Sequence, residues 1–287
     1  MPDAGCSAEA FAAAVERVRG FAGRTVVVKL GGSAMEDPAA TEACLRSVAV
    51  LHAIGVQIVL VHGGGKPIDR AMAESGLTPK KVAGRRYTDD ATLEIVVRVL
   101  QEIGGGLAAR LQRHGCQANL TDDVLLGEQL ILPGDDGRPL DLGRVGRVTE
   151  LAYLPAGGVE RWADFVQVIP SIARDADGGW LNINADTAAS AVAGALKADK
   201  AIFLTDTPGV LRDRSNPASL LPRLTAAECR ELIARGVIDG GMVPKVEACF
   251  EALDAGAKSA LILDGRVPFS LLDVFLKDTF TGTEITR

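Results

Sequence analysis

Five short apolar runs, alternating with helical stretches, constrain this chain more than any other feature. They read "TVVVKL" at 25–30, "VQIVLVH" at 56–62, "DFVQVIP" at 164–170, "KAIFLTD" at 200–206 and "SALILDG" at 259–265. β-Branched residues dominate them, and their near-continuous apolar character predicts strands buried on both faces. Between them, residues 38–54, 88–113, 184–197 and 244–256 carry apolar side chains three and four apart, the period of a helix. Strands alternating with helices of this length predict an α/β chain whose mostly parallel sheet is covered on both faces. Two segments depart from the rhythm. Residues 118–160 are rich in Gly, Asp and Arg, and "DGRPLDLGRVGRVTE" reads as a turn and a hairpin, a candidate lid over a site. Before the first strand, "AEAFAAAVERVRGF" reads as an extra amphipathic helix, either a packing helix or an oligomer contact.

Composition removes several classes of function. With 287 residues the chain can bury a large core and hold one large domain or two lobes. A net charge of −6 argues against a nucleic-acid surface. No apolar run approaches the roughly 18 residues of a membrane span, and the first twenty residues do not read as a signal peptide. Cys6, Cys44, Cys116, Cys229 and Cys249 are scattered without a CxxC pair, as expected of unpaired thiols in the cytoplasm. The three histidines have no metal-ligand spacing, so no protein metal site is expected. The formal sequon Asn119-Leu120-Thr121 reads as chance in a cytoplasmic chain.

Ligands of open α/β sheets bind beyond the carboxyl ends of the strands, so the strand ends hold the candidate site. Lys29 follows three valines and precedes Gly31-Gly32; an ammonium there is costly unless it meets an anion. After the second strand, Gly63-Gly64-Gly65 runs into a helix with Pro67 near its start, which suits backbone contact with an anion. "HGGG" also occurs in esterases, but the G-x-S-x-G elbow that such enzymes need is missing. Neither a P-loop nor a G-x-G-x-x-G fingerprint is present. In "WLNINADTAA", Asn182, Asn184 and Asp186 sit where a short strand meets an Ala-rich helix, and Asp186 reads either as a functional carboxylate or as a helix cap. In "LTDTPGVL", Thr205-Asp206 ends a strand and Pro208-Gly209 turns it. In "DGGMVPKVEA", Lys245 falls in the first turn of a helix after Gly240-Gly241, against the helix dipole. That placement is reasonable if helix end and ammonium face one phosphate, and Lys29 with Lys245 makes a pair suited to phosphoryl transfer.

These motifs, in this order, resemble the amino acid kinase family from about residue 23 to residue 287, and most closely its N-acetylglutamate-phosphorylating branch. "GRRYTDDATLEIV", "DLGRVGRVTE" and "ILDGRVPFSLL" match in order as well. The resemblance implies a three-layer α/β/α sandwich. It divides the chain into a helix over 1–22, an acyl-substrate lobe with a lid hairpin over 23–190 and a nucleotide-binding lobe over 191–287. The implied activity is ATP-dependent phosphorylation of the γ-carboxylate of N-acetyl-L-glutamate to an acyl phosphate, in arginine biosynthesis. By resemblance, Lys29 and Lys245 neutralise the transferring phosphoryl group while Asp186 holds both ammonium groups. Gly64, Gly65, Arg86 and Asn182 would bind the acylated amino acid, with Arg86 on its carboxylate and Arg85 dispensable. Gly31, Gly32, Asp206, Gly209 and Gly241 would border ATP, and Mg2+ would ride mainly on the ATP phosphates. A homodimer or homohexamer is implied, with weak or absent arginine inhibition because Phe269 replaces a usual histidine. Departures fall on the acyl side: "NLTDD" at 119–123, Arg144 and Arg147 in "GRVGR", and Gly104-Gly105-Gly106. Two rivals therefore stay open, a kinase of an aminoadipate derivative in lysine biosynthesis and a non-catalytic metabolite-sensing relative.

Overall fold

The computed structural model describes residues 7–134, 137–152 and 164–287. Helix α1 (Ala8–Arg19) precedes strand β1 (Thr25–Leu30), which is followed by the short α2 (Gly32–Glu36) and by α3 (Pro38–Ala53). Strand β2 (Gln57–His62) passes through the triple-glycine turn into α4 (Gly65–Glu74). A two-residue ribbon, β3 (Lys81–Val82) with β4 (Arg85–Arg86), comes before the long α5 (Asp90–Arg113). The middle of the chain holds β5 (Ala118–Leu120), β6 (Leu125–Gln129), β7 (Leu132–Pro133), β8 (Pro139–Leu140) and β9 (Val145–Leu151). Then β10 (Val166–Pro170), β11 (Ile172–Arg174) and β12 (Trp180–Ile183) lead into α6 (Ala185–Ala195). The last third comprises β13 (Lys200–Thr205), β14 (Arg223–Thr225), α7 (Ala226–Ala234), α8 (Val243–Ala255), β15 (Ala260–Asp264), α9 (Ser270–Leu276) and β16 (Thr283–Thr286). The five expected strands are β1, β2, β10, β13 and β15, and the four expected helical stretches are α3, α5, α6 and α8.

Eight strands form one sheet in the order β14-β16-β15-β13-β1-β2-β10-β5, parallel except where β15 meets β16. Alternation along each strand sorts its side chains into two cores. Val27, Val59, Val61, Ile169 and Phe203 pack against Ala189, Val192, Val246 and Leu253 of α6 and α8. Val26, Val28, Leu60, Val168 and Ile202 pack on the other side against Leu45, Val48, Leu111 and Phe275 of α3, α5 and α9. Helices on both faces of a mostly parallel sheet make the three-layer arrangement. The sheet is continuous across both expected lobes, and the expected boundary at residue 190 falls inside α6.

The expected lid is built differently from a free flap. Strands β6 and β9 do pair antiparallel, but β11 and β12 complete a small closed barrel with them. Its interior is too narrow for side chains at two crossings. A Cβ on Gly127 would lie 2.6 Å from the Arg147 carbonyl oxygen, and one on Gly146 would lie 2.8 Å from Leu181 Cδ1. Among the described residues of this segment, β7 and β8 pair as a separate two-stranded ribbon. Residues 135–136 and 153–160 of the expected lid lie outside the described residues. At the other end, α1 is capped by Ser7 and stands beside α9, with Arg17 paired to Asp278 and Phe21 edge-on to Phe275 at 5.0 Å. Its Phe11 remains 65% exposed.

Candidate active site

The strand that raises Lys29 also aims it. Lys29 follows Val27 in alternation, so it points to the face covered by α6. There its ammonium meets Asp186 Oδ1 at 2.7 Å, with only 12% of the lysine side chain exposed. Asp186 is available because Asn184 is the helix cap: Asn184 Oδ1 accepts from the backbone N–H groups of Asp186 and Thr187. The alternative reading of Asp186 as the cap is thereby corrected. A carboxylate in the first turn of α6 also suits the positive end of the helix dipole. Gly31 makes the space, since a Cβ there would approach Lys29 Nζ to 3.3 Å and the Leu204 carbonyl oxygen to 2.8 Å.

Lys29 and Asp186 line a cavity of about 430 Å³ with Gly32, Gly64, Gly65, Arg86 and Asn182. The three glycines of the β2–α4 turn do not adopt positive φ. Their lack of side chains serves close approach instead: a Cβ on Gly63 would lie 2.9 Å from Ala185 Cβ, and one on Gly64 would lie 2.9 Å from Leu100 Cδ2. Asn182 Nδ2 donates to Thr88 Oγ1 at 2.9 Å, which holds its amide at the cavity wall. Arg86 is anchored rather than extended. Its guanidinium pairs with Asp69 at 2.6 Å and donates to the Gly65 carbonyl oxygen at 3.1 Å.

A second cavity of about 370 Å³ is lined by Gly209, Gly241 and Lys245 together with Pro208, Val210, Leu211, Val237, Ile238 and Met242. Gly209 has φ +134°, and a Cβ there would fall 2.6 Å from Thr283 Oγ1, so only glycine fits this turn. Lys245 Nζ lies 3.6 Å from Asp206 Oδ1 and donates to the Gly241 carbonyl oxygen at 3.3 Å. The expectation that Asp186 holds both ammonium groups is corrected here. Asp186 pairs with Lys29 alone, because Lys245 springs from the first turn of α8 beside the β13 loop, where Asp206 is its carboxylate. Among the described residues Asp206 alone lines both cavities.

Of the residues expected to border a nucleotide, Asp206, Gly209 and Gly241 line the second cavity, Gly32 lines the first, and Gly31 lines neither. Sequence reasoning missed Lys66, Glu36, Ser171 and Arg85 in the first cavity and Arg214 with Asp239 in the second. Lys66 carried a readable signal, a cation directly after the triple glycine; it pairs with Glu36 at 2.6 Å. Below the same turn, His62 is fully buried, and its Nε2 has no partner. Burial pushes its pKa down to about 4. Among the described residues no group of three or more His, Cys, Asp or Glu side chains could hold a metal, and no helix is long and apolar enough to cross a membrane.

The family model for the amino acid kinase family matches residues 24–264. The chain belongs to the amino acid kinase family. A relative named "Acetylglutamate kinase" from Synechococcus elongatus is 40% identical over 273 residues, covering 92% of this chain and 87% of the relative. One of the same name from Methanothermobacter thermautotrophicus is 37% identical over 288 residues, covering 96% and 97%. Among solved structures, N-acetylglutamate synthase from Neisseria gonorrhoeae superposes with a TM-score of 0.79 at 23% identity. That match takes in 98% of this chain but 66% of the synthase, just under two thirds of its length. Carbamate kinase from Giardia lamblia bound to AMP-PNP gives 0.67 at 18% identity. At such identities the two structures establish the amino acid kinase fold alone, and both share it with this chain.

Proposed function

We propose that the chain is an acetylglutamate kinase, transferring the γ-phosphoryl group of ATP to the γ-carboxylate of N-acetyl-L-glutamate in arginine biosynthesis. One observation carries the reading: a cavity rich in charged side chains and a more apolar cavity meet at Asp206, with Lys29 on one side and Lys245 on the other. Relatives of that name, 37–40% identical over nearly the whole chain, support the same activity.

In the proposed reaction a γ-carboxylate oxygen attacks the terminal phosphorus, the bond to the β–γ bridging oxygen breaks, and ADP leaves with that electron pair. The acceptor is already ionised, so no protein base is needed. Lys29 and Lys245 neutralise negative charge on the equatorial oxygens from the two sides, and Asp186 and Asp206 keep each ammonium in place. The free N–H groups of the Gly63–Gly65 turn and Asn182 position the acceptor. Mg2+ is proposed to enter on the phosphates, because Asp186 and Asp206 are each engaged by a lysine. When bound it would supply positive charge that offsets the negative charge of the phosphates.

The test is an ATP-dependent acyl-phosphate assay with hydroxylamine trapping across N-acetylglutamate, glutamate, aspartate and N-acetylaminoadipate. Hydroxamate formed fastest from N-acetylglutamate is expected; preference for the aminoadipate derivative would move the enzyme to lysine biosynthesis. We further propose assembly of a dimer at least, with α1 as a contact in a hexamer. Light scattering on the full chain and on a chain starting at Gly23 tests this, and equal subunit numbers would remove α1 from the interface.

A further inference from the structure

Helices α6 and α8 carry two of the charges at the proposed transfer point, Asp186 in the first turn of one and Lys245 in the first turn of the other. Their contacts run in the same direction along both helices. Ser190 of α6 meets Ala248 of α8, and further along Gly194 meets Ala255. The two helices are therefore parallel, and their first turns stand side by side.

A hydrogen bond and a close backbone approach hold this seam. Ser190 is buried, and its hydroxyl lies 2.9 Å from the Asp186 carbonyl oxygen and 2.8 Å from the Ala248 carbonyl oxygen. One hydroxyl proton thus bridges the turn that starts at Asp186 and the turn that follows Lys245. One turn on, a Cβ at Gly194 would lie 2.2 Å from Ala255 Cβ, against the roughly 3.5–4.0 Å of an ordinary carbon contact. Helix α8 cannot absorb such a Cβ by fraying at its end. Ala257 N–H donates to the Ala252 carbonyl oxygen, Lys258 N–H to that of Ala198, and the Arg287 guanidinium to that of Leu253.

The start of α6 is fixed on its other side as well. Asp186 holds Lys29 of β1, and Ala185 presses on the glycine turn, where a Cβ on Gly63 would come within 2.9 Å of its own Cβ. The start of α8 has less support: it carries no side-chain cap, and Lys245 meets Asp206 at 3.6 Å and the Gly241 carbonyl oxygen at 3.3 Å. The place of Lys245 relative to Lys29 therefore depends on how α8 lies against α6. In a transfer that uses no protein base, such placement governs the rate, and a shift of about 1 Å can cost ~10²-fold. We infer that Ser190 and Gly194 are positioning residues for the transfer, setting the spacing between Lys245 and the Lys29–Asp186 pair. This rests on the proposed kinase activity, and neither residue lines either cavity.

The wild-type assay across acceptors tests the kinase activity alone. The seam is tested by kcat per nucleotide site, with sites counted by calorimetric titration of a non-hydrolysable ATP analogue so that misfolded chains do not register. Gly194→Ala should lower kcat at least about tenfold and leave both KM values within about twofold. Adding Ala255→Gly to that variant reopens the space and should bring kcat back to within about threefold of wild type. Ser190→Ala removes only the bridge and should cost about three- to fivefold in kcat, the scale of one neutral hydrogen bond. In a Lys245→Ala background each loss should shrink below about twofold, because the group being placed is gone. Losses that persist in full in that background would overturn the assignment and make the seam purely structural. Wild-type kcat per site in Gly194→Ala, or no recovery on adding Ala255→Gly, would overturn it too. If Gly194→Ala does not fold, Ser190→Ala with and without Lys245→Ala decides by the same criterion. An unchanged kcat in Lys245→Ala alone would remove Lys245 from the transfer, and the inference with it.

Discussion

The two cavities are close in size, about 430 and 370 Å³, but they are built from different materials. The proposed acceptor cavity is a meeting place of charges, with Lys29, Lys66, Arg85 and Arg86 set against Glu36, Asp186 and Asp206. The proposed nucleotide cavity is walled by a glycine turn and by Val210, Leu211, Val237, Ile238 and Met242. Its charged side chains, Asp206, Arg214, Asp239 and Lys245, share that wall. A small dianion in water gains recognition from matched cations. A base and ribose gain it from shape and burial. The contrast predicts that charge substitutions act mainly on the acceptor side and steric ones mainly on the nucleotide side, with Lys245 as the exception that belongs to the transfer itself.

Lys245→Ala should give the largest effect. Its ammonium is proposed to meet charge that develops in the transition state, and loss of one such donor typically lowers kcat by ~10²–10³. The acceptor KM should stay within about twofold. If steady-state kinetics instead show an unchanged kcat and a raised ATP KM, Lys245 is a ground-state contact, and charge on the nucleotide side serves binding.

A pair of glycines tests the steric half. Gly209→Ala puts a Cβ 2.6 Å from Thr283 Oγ1 and 3.0 Å from the Thr283 backbone nitrogen, at a φ of +134°. Thr283 Oγ1 itself accepts from Val210 N–H and donates to the Leu221 carbonyl oxygen, so it cannot retreat without breaking both bonds. Backbone strain of this kind costs on the order of 1–3 kcal/mol, and the clash adds to it. A lower Tm and a raised ATP KM are expected together. Gly65→Ala in the acceptor cavity meets nothing within 4 Å. It should leave the Tm unchanged or slightly raised while increasing acceptor KM. Equal losses of Tm would erase the distinction between the two walls.

How much of this was legible in the chain varies with the range of the interaction involved. The strands were readable because "VVVKL" or "AIFLT" has one favourable environment, a sheet interior covered on both sides. Lys29 stood out because a cation in such a run demands an anion. What stayed hidden depends on distant partners. Nothing near Arg86 in sequence announces that Asp69, seventeen residues earlier, neutralises it. Asp206 and Asp186 are both acids at strand or helix ends, and only the packing of α6 beside α8 decides which lysine each holds. The barrel of β6, β9, β11 and β12 was missed because β11 and β12 are only three and four residues long while β6 and β9 mix glycine and exposed polar residues with apolar ones, a weak signal beside the five apolar runs.

A smaller effect follows from His62, at the end of the strand that feeds the acceptor turn. Its pKa falls from an ordinary 6.5 to about 4 because burial disfavours the imidazolium. The folded value lies below the unfolded one, so the unfolded chain takes up the proton first as pH falls. Stability is therefore complete above about pH 6.5 and declines toward pH 4, with a slope of at most about 1.4 kcal/mol per pH unit from this group. His52, also lowered by burial, adds in the same direction. The lowered carboxylates Glu284, Asp199 and Asp264 lose their contribution at more acidic pH, as they protonate through their depressed folded values. Urea titrations at pH 7.5, 5.5 and 4.5 should show a steeper decline for wild type than for His62→Gln. Parallel declines would mean that His62 titrates normally, in contact with water.

The smallest effect is expected from Arg214, and it bears most directly on the contrast between the cavities. Arg214 pairs with Asp239 across the mouth of the nucleotide cavity, and both side chains are more than half exposed. Exposed pairs of this kind contribute little, because water screens the charges and two flexible side chains must be held in one geometry. If the nucleotide side reads shape, Arg214→Ala should change ATP KM by no more than about threefold and leave the Tm within a degree or two. Both should be insensitive to added salt. A rise in ATP KM beyond about tenfold that shrinks at high salt would instead show Arg214 releasing Asp239 to take a phosphate. Screening acts mainly on exposed charge, so a salt-dependent loss would make the mouth of this cavity a second charge-reading surface. The two walls would then differ in degree rather than in kind.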